Sequence, residues 1–389
     1  MNTIQRGIIT LLKSAVTEQS LPLPEGFDLA EAYAVAKRHH MSTLLYDGAV
    51  RCGIDRGLPV MQKLFQSYVK LMLISERQMA QVEKITGAFQ EAGIDYMPLK
   101  GTLMKGRYPK PELRVMGDAD ILIRLEQYDR IIPVLEQLGM RAEKESDHEL
   151  VWLCDDLFLE LHKRLIPSYN KDFHRYFGDG WQLAKLSDGS RYSMTAEDEM
   201  IYLFTHYAKH FRDGGIGCRH VLDLWVYLRS VPQLDEAYIQ GELNKFGLLK
   251  FYRHTRDLIN VWFEDAPETE MSDFLTDAVF NSGSFGTIAD RLASGAVKNK
   301  LFIIKNSKLL FVLQTLFPNV EVLRDKYTVL KKFPVLLPLV WLIRPFYKIF
   351  FEPNSVVHQT KTISNISGES VDVAARRAVL HEIGLDYNF

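Results

Sequence analysis

Apolar positions in the first ninety residues recur at helical spacing. Ile4, Ile8, Leu11, Leu12 and Ala15 predict one helix and Asp28 to Arg38 a second. Val60 to Glu91 predicts a long third, with a stripe through Leu64, Leu71, Met72, Met79, Val82 and Phe89. Gly93 stops it, and Ile94 to Leu99 reads as a first strand. A short helix over Thr102 to Arg107, a loop at Pro109-Lys110-Pro111, an apolar strand ending in Ile121-Leu122-Ile123 and a helix from Gln127 to Leu138 follow. Glu149 to Cys154 and Leu157 to Lys163 alternate around Asp155-Asp156, the pattern of a β-hairpin with Phe158, Glu160 and His162 on one face. Beyond the glycine-rich break at Gly178 to Gly189 the pattern is helical. Thr195 to Asp198 forms a capping box with Asp in the place that favours Glu, and Met200, Leu203, Phe204, Tyr207 and Phe211 make the stripe of the helix it opens. Further helices are expected at His220 to Leu228, Leu234 to Phe246, Tyr252 to Phe263, Glu270 to Phe280 and Asn306 to Leu316. A polar tail from Asn354 to Ser370 leads to a last helix near Val371 to Ile383. There is no internal repeat.

The candidate chemistry lies between the first two strands. Asp118 and Asp120 stand two residues apart on a strand, so both carboxylates point to the same face. Like charges that close repel, and removing either one relieves the repulsion. A divalent cation also resolves it, and Mg²⁺ takes carboxylate oxygens together with substrate phosphates. Just upstream, Gly101 permits close backbone approach and Thr102 adds a hydroxyl, as a phosphate cradle requires. Lys100 offers a point charge and Arg114 a fork to a triphosphate or departing pyrophosphate. Glu160, on the neighbouring hairpin, is the candidate third carboxylate, to ligate metal or to act as general base.

The run Lys100-Gly101-Thr102, a spacer, then Arg114-x-x-x-Asp118-x-Asp120 resembles the nucleotidyltransferase superfamily that contains DNA polymerase β and the antibiotic adenylyltransferases. It is most similar to the bacterial group described only as nucleotidyltransferase family protein. Ala36 to His40 running into Leu44-Leu45-Tyr46, Leu159 to Leu165, and His206-x-x-x-His210 with Asp223-Leu224 fit that group, and the similarity spans roughly residues 30 to 350. The chain departs from the superfamily in having Gly101-Thr102 where Gly-Gly or Gly-Ser is usual. The resemblance implies an α/β nucleotidyltransferase core with a mixed sheet, over 93–190, behind an N-terminal helical segment at 1–92. A helical C-terminal domain at 191–351 and a tail at 352–389 follow, with the cleft between core and helical domain. It implies Mg²⁺ or Mn²⁺ on Asp118, Asp120 and Glu160, and transfer of a nucleotide from an NTP to an acceptor hydroxyl with loss of pyrophosphate. Acceptors elsewhere in the superfamily include antibiotics, protein hydroxyls and RNA ends.

Composition narrows this. With 47% apolar and 25% charged residues the chain reads as a soluble globular protein of two or three domains. Three widely spaced cysteines give neither a disulfide framework nor a zinc pattern, and no signal peptide opens the chain, so a reducing cytoplasm is expected. A net charge of −2 speaks against bulk nucleic-acid binding and favours a small-molecule or peptide acceptor. The sequence leaves open a catalytically silent nucleotide-binding scaffold and an RNA-modifying, toxin-like transferase, and does not fix an oligomeric state. His206 and His210, at i and i+4, suit core packing or polar contacts with Asp223 and Arg219, a zinc ion, or a base or acceptor. Residues 298 to 350 hold ten Lys or Arg against Glu321 and Asp325, around the apolar run Phe333 to Ile343. That run is too short and too interrupted, by two prolines and Arg344, to span a bilayer. The expected reading is core with snorkelling lysines, the others a polyanion site or an anionic membrane surface.

Overall fold

A computed structural model describes the chain except for residues 147, 156, 284–285, 299–305, 325–326, 352–356, 358–359, 361–371 and 388–389. Four helices come first, α1 (Thr3–Thr17), α2 (Leu29–Arg38), α3 (Ser42–Arg51) and α4 (Pro59–Glu91). The long stripe expected on α4 closes at both ends through Met61, Leu64, Val82, Ile85 and Phe89, while its middle buries Ser75 and Gln78. Those two are buried because they are bonded. Lys105 Nζ donates to Ser75 Oγ at 2.7 Å, and Gln78 Nε2 to the Met116 carbonyl at 3.3 Å.

The central element is a seven-stranded mixed sheet. Its strands are β1 (Tyr96–Pro98), β2 (Asp118–Ile123), β3 (Arg141–Glu145), β4 (Glu149–Cys154), β5 (Leu157–His162), β6 (Lys185–Asp188) and β7 (Arg191–Ser193), in spatial order β3-β4-β5-β2-β1-β7-β6. β2 and β5 are parallel neighbours, with Asp120 opposite Glu160 and Leu122 opposite His162. β4 and β5 form the expected antiparallel hairpin. Among the helices between strands are α5 (Lys100–Lys105), which starts two residues earlier than expected, and α6 (Tyr128–Gln137). Alternation splits the sheet's chemistry. Ala119, Ile121, Ile123, Leu159 and Leu161 pack with Val82, Ile85 and Phe89 of α4 and Ile131 and Leu135 of α6 in one core. Asp118, Asp120, Glu160 and His162 are left to the other face. β3 and β6 escape the sequence pattern because they are edge strands exposed at every position.

After α7 (Lys171–Phe177) the remaining helices are α8 (Ala196–Asp213), α9 (Cys218–Ser230), α10 (Glu236–Lys245), α11 (Leu249–Phe263), α12 (Glu270–Ser282), α13 (Ile288–Lys298), α14 (Ser307–Leu316), α15 (Val320–Leu323), α16 (Val329–Lys332), α17 (Leu337–Phe351) and α18 (Val373–Ile383). The expected capping box on α8 is half formed. Thr195 Oγ1 accepts from the Asp198 amide at 3.1 Å, but it also donates to the Asp198 carboxylate at 2.8 Å, because Asp is too short to reach back to the cap's own amide.

Helices before and after the sheet share one hydrophobic core, in which Ile8 and Leu12 join Phe251, Trp262 and Ile383. His39 bridges both sides of it. Its Nε2 donates to the Phe280 carbonyl at 3.0 Å, and its Nδ1 accepts from the Cys218 amide at 3.2 Å.

The basic segment departs from the expected core reading. Pro334–Phe351 has a mean hydropathy of 1.4 over 18 residues, so among the described residues it is the stretch long and apolar enough to cross a membrane, yet it is only 6% buried. Lys300, Lys305, Asp325, Lys326 and most of the tail at 354–370 lie outside the described residues.

Candidate active site

Strands β2, β4 and β5 and helices α5, α8 and α9 line a cleft of about 340 Å³. The sheet side contributes Asp118 and Asp120 from β2, Glu160 and His162 from β5, and Glu149 at the start of β4, which is paired with His148 at 2.9 Å. The helical side is built by periodicity. Leu203, His206, Tyr207 and His210 recur at i, i+3, i+4 and i+7 along α8, and Arg219, His220, Asp223 and Leu224 come from α9. Lys100 and Gly101, at the start of α5, close one end.

The carboxylates sit in unequal surroundings. Asp120 is 3% exposed, and its Oδ1 accepts from Lys100 Nζ at 2.8 Å and from His162 Nε2 at 2.7 Å. Burial alone would raise its pKa, but the Lys100 charge and the His162 bond outweigh that and hold it well below the usual carboxylate range. Asp118 has no such partner. Burial, then the charges of Asp120 and Glu160, push it up to about 6. The relief expected on removing either charge therefore applies to Asp118 alone, because Asp120 is compensated in place.

His162 was not among the site residues expected from sequence. One ligand atom each from Asp120, Glu160 and His162 lies within 4.8 Å of the others, and among the described residues this is the group close enough to hold an ion. Asp118 lines the cleft just outside that group. The signal for His162 was present in the Leu-Glu-Leu-His alternation, which put it on the face of Glu160. Its Nδ1 is buried without a hydrogen-bond partner. Burial and Lys100 pull its pKa down, yet the bonds to Asp120 and Glu160 leave it raised.

The other expected residues divide. Lys100 has a left-handed backbone, φ +36°, rare for a side chain other than glycine, and this turns its ammonium onto Asp120. Gly101 sits in tight space: a Cβ there would lie 3.0 Å from the Arg114 guanidinium and 3.3 Å from Met116 Cγ, which would have to give by a few tenths of an ångström. Arg114 lines the cleft but is clasped by Asp223, with Nε at 3.1 Å and Nη2 at 3.0 Å from its two oxygens. Tyr108 donates to the same carboxylate at 2.7 Å. The fork expected to meet phosphate thus pins the loop before β2 to α9. Thr102 does not line the cleft, and its hydroxyl faces the Met116 sulfur at 4.0 Å.

The cations that face the cavity come from helices. Lys209, on α8, lines the cleft, and burial and the Lys100 charge draw it down to about 8. Arg219 also lines it, donating through Nη1 to the Val115 carbonyl at 2.9 Å while its Nε is buried without a partner. His206 and His210 line the wall with their rings 4.4 Å apart, and burial first, then nearby cations, keeps both neutral at pH 7. Neither belongs to a three-donor group among the described residues.

The family model described as uncharacterised nucleotidyltransferase matches residues 25–264, which takes in the sheet, α8 and α9. No curated protein matches the chain. Among solved structures, the solution structure of the antibiotic-resistance factor ANT(2'')-Ia is similar at 15% identity, covering 46% of this chain and 98% of that one with a TM-score of 0.34.

Proposed function

The chain belongs to the uncharacterised nucleotidyltransferase family, and we propose that it transfers a nucleoside monophosphate from an NTP to the hydroxyl of a small molecule or peptide, releasing pyrophosphate. The observation that carries the reading is the parallel β2–β5 register, which sets Asp120 opposite Glu160, with Asp118 two residues along the same face. The donor set fits a hard divalent cation. Asp118, Asp120 and Glu160 gather where Lys100 is bonded to Asp120, and Lys100 and Arg219 only partly offset the charge of Asp118. Asp118, Asp120 and Glu160 would hold Mg²⁺ or Mn²⁺, which when bound offsets phosphate charge and acidifies a neighbouring hydroxyl.

The chain's own residues do the rest. Lys209 and Arg219 supply positive charge to the polyphosphate from the helical wall. Glu160, with 23% of its side chain exposed, is open enough to take the acceptor's proton. The acceptor oxygen then bonds to the α-phosphorus as the bond to pyrophosphate breaks. The cytoplasm suits the three free cysteines.

The test is incubation with each α-labelled NTP, Mg²⁺ or Mn²⁺ and a cell extract. Label on a small molecule or peptide, lost in Asp118→Asn, supports the reading. Label on RNA moves the acceptor to nucleic acid, and nucleotide binding without transfer points to a silent scaffold.

A further inference from the structure

α17 is held from one side only. Val340 is buried and Leu337 and Trp341 are half-buried against Leu323 and Leu330. Trp341 Nε1 donates to the Pro318 carbonyl at 2.9 Å, and Arg344 donates to the Thr315 carbonyl. The opposite face is apolar and open. Val335, Leu339, Leu342, Phe346 and Phe350 follow at helical spacing, with exposures of 81, 51, 70, 65 and 74%. Among the described residues nothing covers this stripe, which is unusual for an apolar patch on a water-soluble surface.

The charge pattern says what does. From Lys326 to Phe351 the chain has five Lys or Arg and no acidic residue. Lys331 and Lys332 stand exposed where the apolar run begins. An anionic surface receives both features at once. What lies inside the helix decides how it is received: 18 residues at 1.5 Å each reach about 27 Å, the lower limit of a span, and Arg344 and Pro345 interrupt the apolar run at its middle. We propose that α17 lies in the plane of an anionic lipid bilayer, its open apolar face in the acyl boundary and Lys331 and Lys332 of α16 at the headgroups, so that the protein is peripherally membrane-bound.

The experiment is co-sedimentation of the full chain with vesicles of phosphatidylcholine alone and with about 30% phosphatidylglycerol, at low and high salt. Binding to the anionic vesicles only, released by salt, is expected. Each lysine near such a surface is worth about five-fold in partition, so Lys331→Glu with Lys332→Glu lowers binding at least ~30-fold. Leu342→Glu with Phe346→Glu abolishes it. All four side chains are exposed, so unchanged melting temperature and unchanged nucleotidyl transfer in solution separate lost docking from lost folding or activity. No sedimentation of the wild type overturns the proposal. So does binding that only detergent reverses, which means a spanning helix, or a dimer that the Leu342→Glu, Phe346→Glu pair converts to monomer.

Discussion

Asp118→Asn and Asp120→Asn should change stability in opposite directions while both abolish nucleotidyl transfer. Burial, then Asp120 and Glu160, push the Asp118 carboxyl up to about 6 from an ordinary 3.8. At roughly 1.4 kcal/mol per unit that would be about 3 kcal/mol in a closed site. Asp118 has an exposed side, however, and solvent screening brings the gain for Asp118→Asn to about 1 kcal/mol. Asp120 is the reverse case. Its replacement leaves the Lys100 ammonium, 2.8 Å away, without a counter-charge in a buried position. Removing one member of such a pair costs ~3–5 kcal/mol, less about 1 for the repulsion that Asp118 then escapes. The two variants should therefore differ by about 4 kcal/mol in urea unfolding at pH 7 without divalent cations. Adding Lys100→Met to Asp120→Asn should recover part of the loss. Equal effects of the two single substitutions, or a stabilised Asp120→Asn, would show that the Lys100–Asp120 pair does not compensate the charge, and the account of the site would fall with it.

Glu160→Gln should lower kcat with little change in NTP affinity, which a steady-state comparison with nucleotide binding reads directly. Lys209→Met should do the opposite, raising KM for NTP several-fold while leaving the fold untouched. Arg114→Met leaves the Asp223 carboxylate buried without its fork and should cost ~3 kcal/mol or more in chemical denaturation. His39 accepts an amide bond at Nδ1, so it folds only as the neutral ring, and burial draws its pKa to about 4. Stability from this group is complete above about pH 6.5 and is lost as pH falls toward 4. Between pH 7 and 5 that is about 2 kcal/mol, and the pH slope of unfolding should be shallower by that amount in His39→Gln.

What the sequence revealed of this site follows the range of the interactions involved. The shared face of Asp118 and Asp120 is a local consequence of strand alternation, and the Leu157 to His162 hairpin carried Glu160 and His162 onto one face by the same rule. Their register across β2 and β5 is not local, and only the fold supplies it. Arg114 was legible as a cation near the site but not as Asp223's partner, because 109 residues separate the two. Lys209, Arg219 and His220 belong to helix faces whose direction depends on how α8 and α9 pack against the sheet. β3 and β6 have no apolar alternation because neither of their faces is buried. The run at Phe333 to Ile343 misled for the opposite reason. Apolar spacing shows which side of a helix avoids water, and not whether protein or lipid covers it.

The cleft is polarised between its two sources. The sheet brings carboxylates and the helices bring lysine, arginine and neutral histidines, so the cavity suits a ligand that carries its own cation and an extended anionic group together. The two walls are joined across the cleft by Arg114 and Asp223, with Tyr108 on the same carboxylate. Because this pair is buried and fully engaged, it sets the distance between carboxylates and cations before any ligand arrives. A phosphate that displaced Arg114 from Asp223 would have to break that link. In the proposed reaction, phosphate recognition would therefore fall to the cations that the pairing leaves facing the cavity, Lys209 and Arg219, while Arg114, the first residue of the Arg-x-x-x-Asp-x-Asp run, holds the two walls together.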